Sequence, residues 1–117
     1  MAPDETEVLD RAAFDDFAGL FSPDELHDVI EEWRADSRRA LDAIAEALAC
    51  DDRARIGDIA HRAAGGGLAL GASAFAAACE RLRAHAEGGD PVTDADLAAV
   101  RHAAAATYLA MTEGRGS

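Results

Sequence analysis

His61 is the residue of this 117-residue chain whose type and surroundings best suit chemistry. If its segment is helical, the apolar positions Ile56, Ile59 and Ala63 centre on the opposite face, so the imidazole points to solvent. An imidazole has an ordinary pKa of about 6.5, and its neutral form is a competent nucleophile at neutral pH. It can accept a phosphoryl group if a partner supplies the activated phosphate. The sequence shows no base, orienting acid or metal ligand beside it, so a hydrolytic site is not expected.

The residues around His61 on the predicted helix are small. Gly57, Asp58, Ala64, Gly65 and Leu68 share its face, and the positions three and four residues onward carry only a methyl group and a hydrogen. The imidazole therefore protrudes, and a bulky partner has room to approach it.

Three consecutive glycines, residues 65–67, follow the histidine. Each glycine inside a helix costs about 1 kcal/mol relative to alanine, so a reason for them is needed. Gly66 and Gly67 flank the buried stripe, where close helix packing would explain them, but Gly65 lies on the exposed side. The alternative is that the helix ends near Ala64 and the glycines form a loop, although Leu68 continues the helical spacing.

The remaining reactive side chains are expected to be structural or surface groups. His27 lies at the margin of an apolar stripe, His85 near a helix C-terminus and His102 on a solvent face. Cys79 falls on an apolar stripe, which favours a buried structural thiol. No two histidines stand three or four residues apart with a carboxylate partner, so no metal site is expected.

The composition is acidic and helix-forming. The chain has 30 alanines, no lysine, asparagine or glutamine, and 23 acids against 11 arginines, for a net charge of -12. Such a charge repels nucleic acid and anionic lipid. The absence of lysine excludes a P-loop or a Schiff base. The uncharged run 63–79 is too weakly apolar to span a bilayer. Two cysteines are too few for a disulfide framework. We therefore expect a cytoplasmic protein without nucleic-acid or membrane partners.

Helix signals recur along the chain. Residues 10–20 could form a short helix, and Ser22-Pro23-Asp24-Glu25 combines a serine cap, an N-terminal proline and a capping box. Gly71 is predicted to be a left-handed helix stop, and residues 88–91 form a loop before a final helix. The long second helix carries one apolar stripe, made up of Leu26, Ile30, Trp33, Ser37, Leu41, Ile44 and Leu48.

Alanine excess and short loops together predict an all-α fold. We expect residues 10–112 to form an antiparallel up-down-up-down four-helix bundle, with a short N-terminal helix that caps one end through Phe14 and Phe17. Residues 1–9 are expected to be a flexible leader and 113–117 a flexible tail. The length, with Met1 at the start, indicates one complete domain.

The segment around His61 resembles the signature of histidine-containing phosphotransfer (HPt) domains. That signature reads Ala-His-x-Leu-Lys-Gly, a run of small residues, Leu-Gly-Ala, and a helix with spaced Leu, Cys and Leu-Glu. Here residues 60–72 read AHRAAGGGLALGA, and Phe75, Cys79 and Leu82 follow at the expected spacing. The order and spacing match over about 24 residues, and the predicted helices fit the bundle of the family.

The resemblance implies a phosphorelay intermediate that has no turnover of its own. A phosphoryl group would pass from an aspartate on the receiver domain of a hybrid sensor kinase to His61, then to an aspartate of a response regulator, and the steps can run in reverse. Mg²⁺ would belong to the receiver, and this chain, working as a monomer, would bind no cofactor. Gly57, Ala64, Gly65 and Leu68 would form the centre of the docking surface.

Three positions depart from the signature. Ala63 replaces a leucine, Ala64 replaces the usual lysine, and Arg83 replaces the glutamate after Leu82. Arg62 is the candidate for supplying the missing positive charge near the phosphoryl group, although it points about 100° away around the helix. An alternative therefore stays open, in which the chain is a phosphorylation-incompetent binding module that docks or sequesters a receiver domain or kinase.

Overall fold

A computed structural model describes residues 8–113, and this part of the chain is helical without any strand. The predicted all-α class is confirmed. The five helices are α1 (Arg11–Ala18), α2 (Pro23–Ala49), α3 (Arg53–Ala69), α4 (Ser73–Gly88) and α5 (Asp94–Glu113).

The helix ends follow the local chemistry of the sequence. The Ser22 hydroxyl accepts from the Glu25 backbone N–H and the Glu25 carboxylate accepts from the Ser22 N–H, which is the predicted capping box. Asp52 caps α3 by accepting from Arg55 N. Gly71, at φ +81°, lies in the left-handed turn after α3, as predicted.

The four long helices pack around one core. α2 contacts α3 and α5, and α4 contacts the same two helices, so α2 and α4 lie across the core from each other. Within residues 8–113, no helix combines the length and apolar character needed to cross a bilayer. The largest fully buried hydrophobic side chains are Ile30, Ile44, Ile56, Phe75, Leu82, Val100 and Met111.

The short helix α1 is fixed to the turn between α3 and α4. Phe14 is buried there, while Phe17 is half-buried and packs its ring 5.1 Å from that of Phe21. The backbone N–H of Asp10 donates to Gly71 O at 2.7 Å. The predicted capping helix is thus present.

The ends of the folded body differ from the predicted leader and tail. Leu9 is 5% exposed, and Val8 O accepts from Ala74 N, so residues 8–9 belong to the folded part. Glu113 is the last residue of α5 and not the first of a tail. The rest of the predicted leader and tail, residues 1–7 and 114–117, lies outside the described residues.

Candidate functional site

His61 lies on the outer surface of α3, where its side chain is 64% exposed. Two inward residues that precede it in α3, Ile56 and Ala60, are 1% and 0% exposed and fix that helix against the core. The helix continues past the histidine to Ala69, so the loop alternative for the glycines is wrong. A rigid helix therefore presents the imidazole to solvent, as the periodicity predicted.

The imidazole is not isolated, because an acid on the neighbouring helix contacts it. Glu80 of α4 places Oε2 at 3.3 Å from His61 Nδ1. The other carboxylate oxygen, Oε1, accepts from Arg83 Nη1 at 3.2 Å. Arg83 also donates from Nε to Glu87 at 3.0 Å. A chain of charged side chains thus runs along α4 and ends on the histidine.

This contact assigns roles to the two ring nitrogens. The hydrogen bond from Arg83, followed by that from His61, lowers the pKa of Glu80, so this carboxyl is ionised at neutral pH. An ionised carboxylate only accepts hydrogen bonds, so Nδ1 of the neutral ring carries the proton. The lone pair then lies on Nε2, which is free to attack an electrophile. The Glu80 contact therefore orients the neutral His61 ring with Nε2 away from α4.

Glu80 was not among the residues predicted from the sequence. It lies on another helix, 19 positions beyond His61, so no single-helix periodicity relates the two residues. The sequence does contain one signal for it, because Glu80 is the first charged residue after the uncharged run 63–79. Which residue of α4 faces α3 depends on how the two helices pack, and periodicity within one helix does not contain that information.

The three glycines have different surroundings. A Cβ added at Gly65 or Gly66 would meet nothing within 4 Å, whereas one at Gly67 would lie 3.0 Å from the Phe75 ring. Close packing thus explains Gly67 but not Gly66, contrary to the expectation for that residue. Gly65 is exposed, as predicted, and Leu68 beside it is 59% exposed.

Two of the four predicted docking residues are not on the surface. Ala64 is 1% exposed, and Gly57 is buried beneath the side chains of Glu87 and Arg83. The expectation that both share the open face of His61 is wrong. The reason is that α3 packs on both α2 and α4, so its buried sector is wider than one apolar stripe.

Arg62, the predicted phosphate-proximal cation, lies on another side of α3. It lines a groove between α2 and α3 together with Trp33 and Asp36. The arginine that donates to Glu80, the acid partner of His61, is Arg83, the residue that replaces the glutamate of the family signature. With Ala64 buried, the positive charge near this site comes from α4.

The other reactive side chains have structural surroundings. His85 Nδ1 lies 3.3 Å from Asp96 Oδ2, at the start of α5, and His27 and His102 are exposed. Burial raises the pKa of the Cys79 thiol to about 12, which leaves it protonated and unreactive at neutral pH. Among residues 8–113, no group of three or more His, Cys, Asp or Glu side chains could hold a metal ion.

A comparison against family models identifies the family to which this helical fold belongs. The model described as the Hpt domain matches residues 28–110, which is more than half of the chain. The chain therefore belongs to the Hpt domain family, as its signature suggested. Hpt domains take part in histidine phosphotransfer within two-component phosphorelays and interact there with receiver domains. Comparisons with curated proteins and with solved structures gave no match.

Gly66 offers a test of the helix through the glycine run. Replacing Gly66 with alanine is expected to stabilise the protein by about 1 kcal/mol, because the methyl group has open space and the helix loses a poor helix former. Thermal unfolding followed by circular dichroism measures this change. An unchanged or lowered melting temperature would contradict a continuous helix at this position.

Proposed function

We propose that His61 is the phosphoryl acceptor and donor of this Hpt domain. An Nε2 lone pair held outward by the Nδ1–Glu80 contact carries the proposal. In the uptake step, Nε2 forms a bond to phosphorus while the bond between phosphorus and the receiver's aspartyl oxygen breaks, and aspartate leaves as a carboxylate. The Nδ1 proton stays in place, and Glu80 faces the positive charge that develops on the ring.

The receiver domain would supply the metal ion for transfer. We propose that its Mg²⁺ neutralises the phosphoryl oxygens during transfer and that this chain binds no cofactor of its own. The donor is the receiver domain of a hybrid sensor kinase and the acceptor that of a response regulator. Gly65 and Leu68, exposed one and two turns beyond the histidine, form the centre of the docking surface.

The proposal also includes the course of the four long helices, the oligomeric state and the cellular compartment. The connections 50–52, 70–72 and 89–93 are short, which favours an up-down-up-down course of the four long helices. A monomer in the cytoplasm suits a carrier that must meet two receivers in turn, and its acidic surface disfavours nucleic acid and membranes.

A transfer assay tests the function. The protein is phosphorylated with phosphoramidate, freed of donor and mixed with a Mg²⁺-loaded receiver domain, and both phosphoproteins are followed on phosphate-affinity gels. We expect the phosphoryl group to move to the receiver and His61→Gln to carry none, although the variant still binds the receiver. Normal receiver binding without any transfer by the wild type would instead indicate the docking module.

Glu80 can be tested with a matched control on its own helix. Glu80→Ala is expected to slow phosphoryl uptake roughly two- to fivefold, because an exposed contact of this kind contributes up to about 1 kcal/mol. Glu87→Ala also removes a partner of Arg83 but leaves His61 untouched, so its uptake rate should match the wild type. Equal rates for all three proteins would refute the positioning role.

The same contact predicts a pH dependence. Because the pKa of Glu80 is lowered, its carboxylate stays ionised throughout the neutral range, and the contact is lost only as the pH falls through that lowered pKa. The ratio of wild-type to Glu80→Ala uptake rates should therefore remain constant on the alkaline side of neutrality. A ratio that drifts toward one as the pH rises there would contradict this assignment.

A further inference from the structure

A second candidate site lies on the side of the bundle away from His61. A groove of about 430 Å³ runs between α2 and α5. The histidine and its partner Glu80 belong to α3 and α4, the other two long helices. A molecule bound in the α2–α5 groove would therefore leave the face of His61 open.

Arginines crowd this groove on an otherwise acidic protein. Arg34, Arg38 and Arg101 all line it, although the chain has only 11 arginines against 23 acids. The side chains of Arg38 and Arg101 make no ion pair or hydrogen bond within residues 8–113. From residue 97 to residue 112, α5 carries no carboxylate at all. The groove is thus a positive site on a chain of net charge -12.

One arginine is held in place by its neighbours. The Arg34 guanidinium lies 4.3 Å from the centre of the Tyr108 ring and 3.8 Å from a Glu31 oxygen. The Tyr108 hydroxyl donates to Glu31, and this hydrogen bond raises the pKa of the phenol. The end of the groove is therefore pre-ordered. Arg38, one turn further along α2, is a like charge at a spacing that disfavours the helix in the absence of an anion.

The floor of the groove is apolar. Leu41 and Ala104 line it, and Leu109 at its edge is 56% exposed, one of three exposed large hydrophobic side chains within residues 8–113. A small inorganic anion would pair with the arginines but would leave the apolar floor exposed to water. A flat anionic membrane would meet the negative charge of the rest of the protein. The chemistry fits a narrow ligand that carries both apolar groups and carboxylates.

We propose that the α2–α5 groove docks an acidic amphipathic helix of a partner protein. Its apolar side chains, spaced along one face, would cover Leu41, Ala104 and Leu109, and its flanking carboxylates would pair with Arg38 and Arg101. Such docking tethers the carrier to a partner while His61 exchanges phosphoryl groups with a receiver. It is independent of whether His61 is phosphorylated.

A peptide titration tests the groove. The probe is a synthetic helical peptide of about four turns, with leucines at i, i+3, i+4 and i+7 and glutamate elsewhere. Added to the ¹⁵N-labelled protein, it should shift the amide signals of Arg38, Ala105 and Leu109 and leave that of His61 unmoved. A counterpart with arginine in place of glutamate should not shift these groove signals.

Variants assign the binding to the proposed residues. Arg38→Glu/Arg101→Glu should weaken peptide binding by roughly tenfold or more, and Leu109→Ala by roughly threefold. Arg81→Glu is the control, because Arg81 on α4 is exposed and also lacks an acidic partner. All these variants should take up phosphate at the wild-type rate, so a failure here is distinct from a failure of His61.

Three results would overturn the proposal. If the double variant binds the peptide within twofold of the wild type, Arg38 and Arg101 do not contribute to the site. Shifts centred on Gly65 and Leu68 would place the peptide on the face of His61 instead. Binding of anionic lipid vesicles that depends on Arg38 and Arg101, without binding of the peptide, would make the groove a lipid-headgroup site.

Discussion

Replacing Gly65 with leucine is expected to slow phosphoryl transfer between this protein and a receiver domain by on the order of 100-fold. Gly65 lies one turn from His61, exposed and with nothing within 4 Å of an added Cβ. A leucine there would stand beside the imidazole and keep the receiver's aspartyl phosphate from its line of approach. Stopped-flow mixing or rapid-quench gels measure the rate.

The same change should leave the fold intact, which makes the test selective. Leucine favours a helix over glycine by about 0.8 kcal/mol, so the variant should melt no lower than the wild type. Gly65→Ala is the matched control, because its single methyl group should raise stability and leave transfer nearly unchanged. Wild-type transfer rates in the leucine variant would show that receivers do not approach over this part of α3.

Gly71→Ala is expected to cost about 2–4 kcal/mol of unfolding free energy, the largest stability loss we expect from a single methyl group. At φ +81° an alanine is strained, and its Cβ would lie 2.8 Å from Asp10 O and 2.9 Å from Phe14 N. Both are backbone atoms, one of the N-cap residue of α1 and one within that helix, so neither can move aside by rotating a side chain.

A comparison with Gly89 distinguishes the cost of backbone strain at Gly71 from the cost of steric overlap. It also has a positive φ, +84°, but a Cβ there would meet nothing within 4 Å. Gly89→Ala should therefore lose only the cost of the left-handed conformation, about 1–2 kcal/mol. Urea titration compares the two variants, and equal losses would mean that the close approach of α1 adds no cost to a methyl group at position 71.

The sequence predicted those features that depend on one helix at a time. In α2 the stripe from Leu26 to Ile44 is buried, with Leu48 half-buried at its end, and the cap at Ser22 is formed as predicted. The exposure of His61 and of Gly65 also follows from periodicity within α3. Such features need only the angle between successive residues.

Features that depend on how helices meet were not predictable in this way. Glu80 contacts His61 only because α4 packs on α3 in one particular rotation, and Gly57 is covered by side chains of that helix. Small residues between α3 and α4 allow a close approach, and this brings Ala64 into the core as well. The positive charge near the site therefore comes from Arg83 and not from a residue next to the histidine in sequence.

The most direct test of the central claim is the location of the phosphoryl group. After incubation with phosphoramidate, intact mass and ³¹P NMR should show one acid-labile, alkali-stable phosphate on the wild type, with Nε2 of His61 as the bonded atom. His61→Gln should carry none, while His102→Gln, which changes another exposed histidine, should be labelled like the wild type. Equal labelling of His61→Gln, or a wild type that takes up no phosphate, would contradict the account.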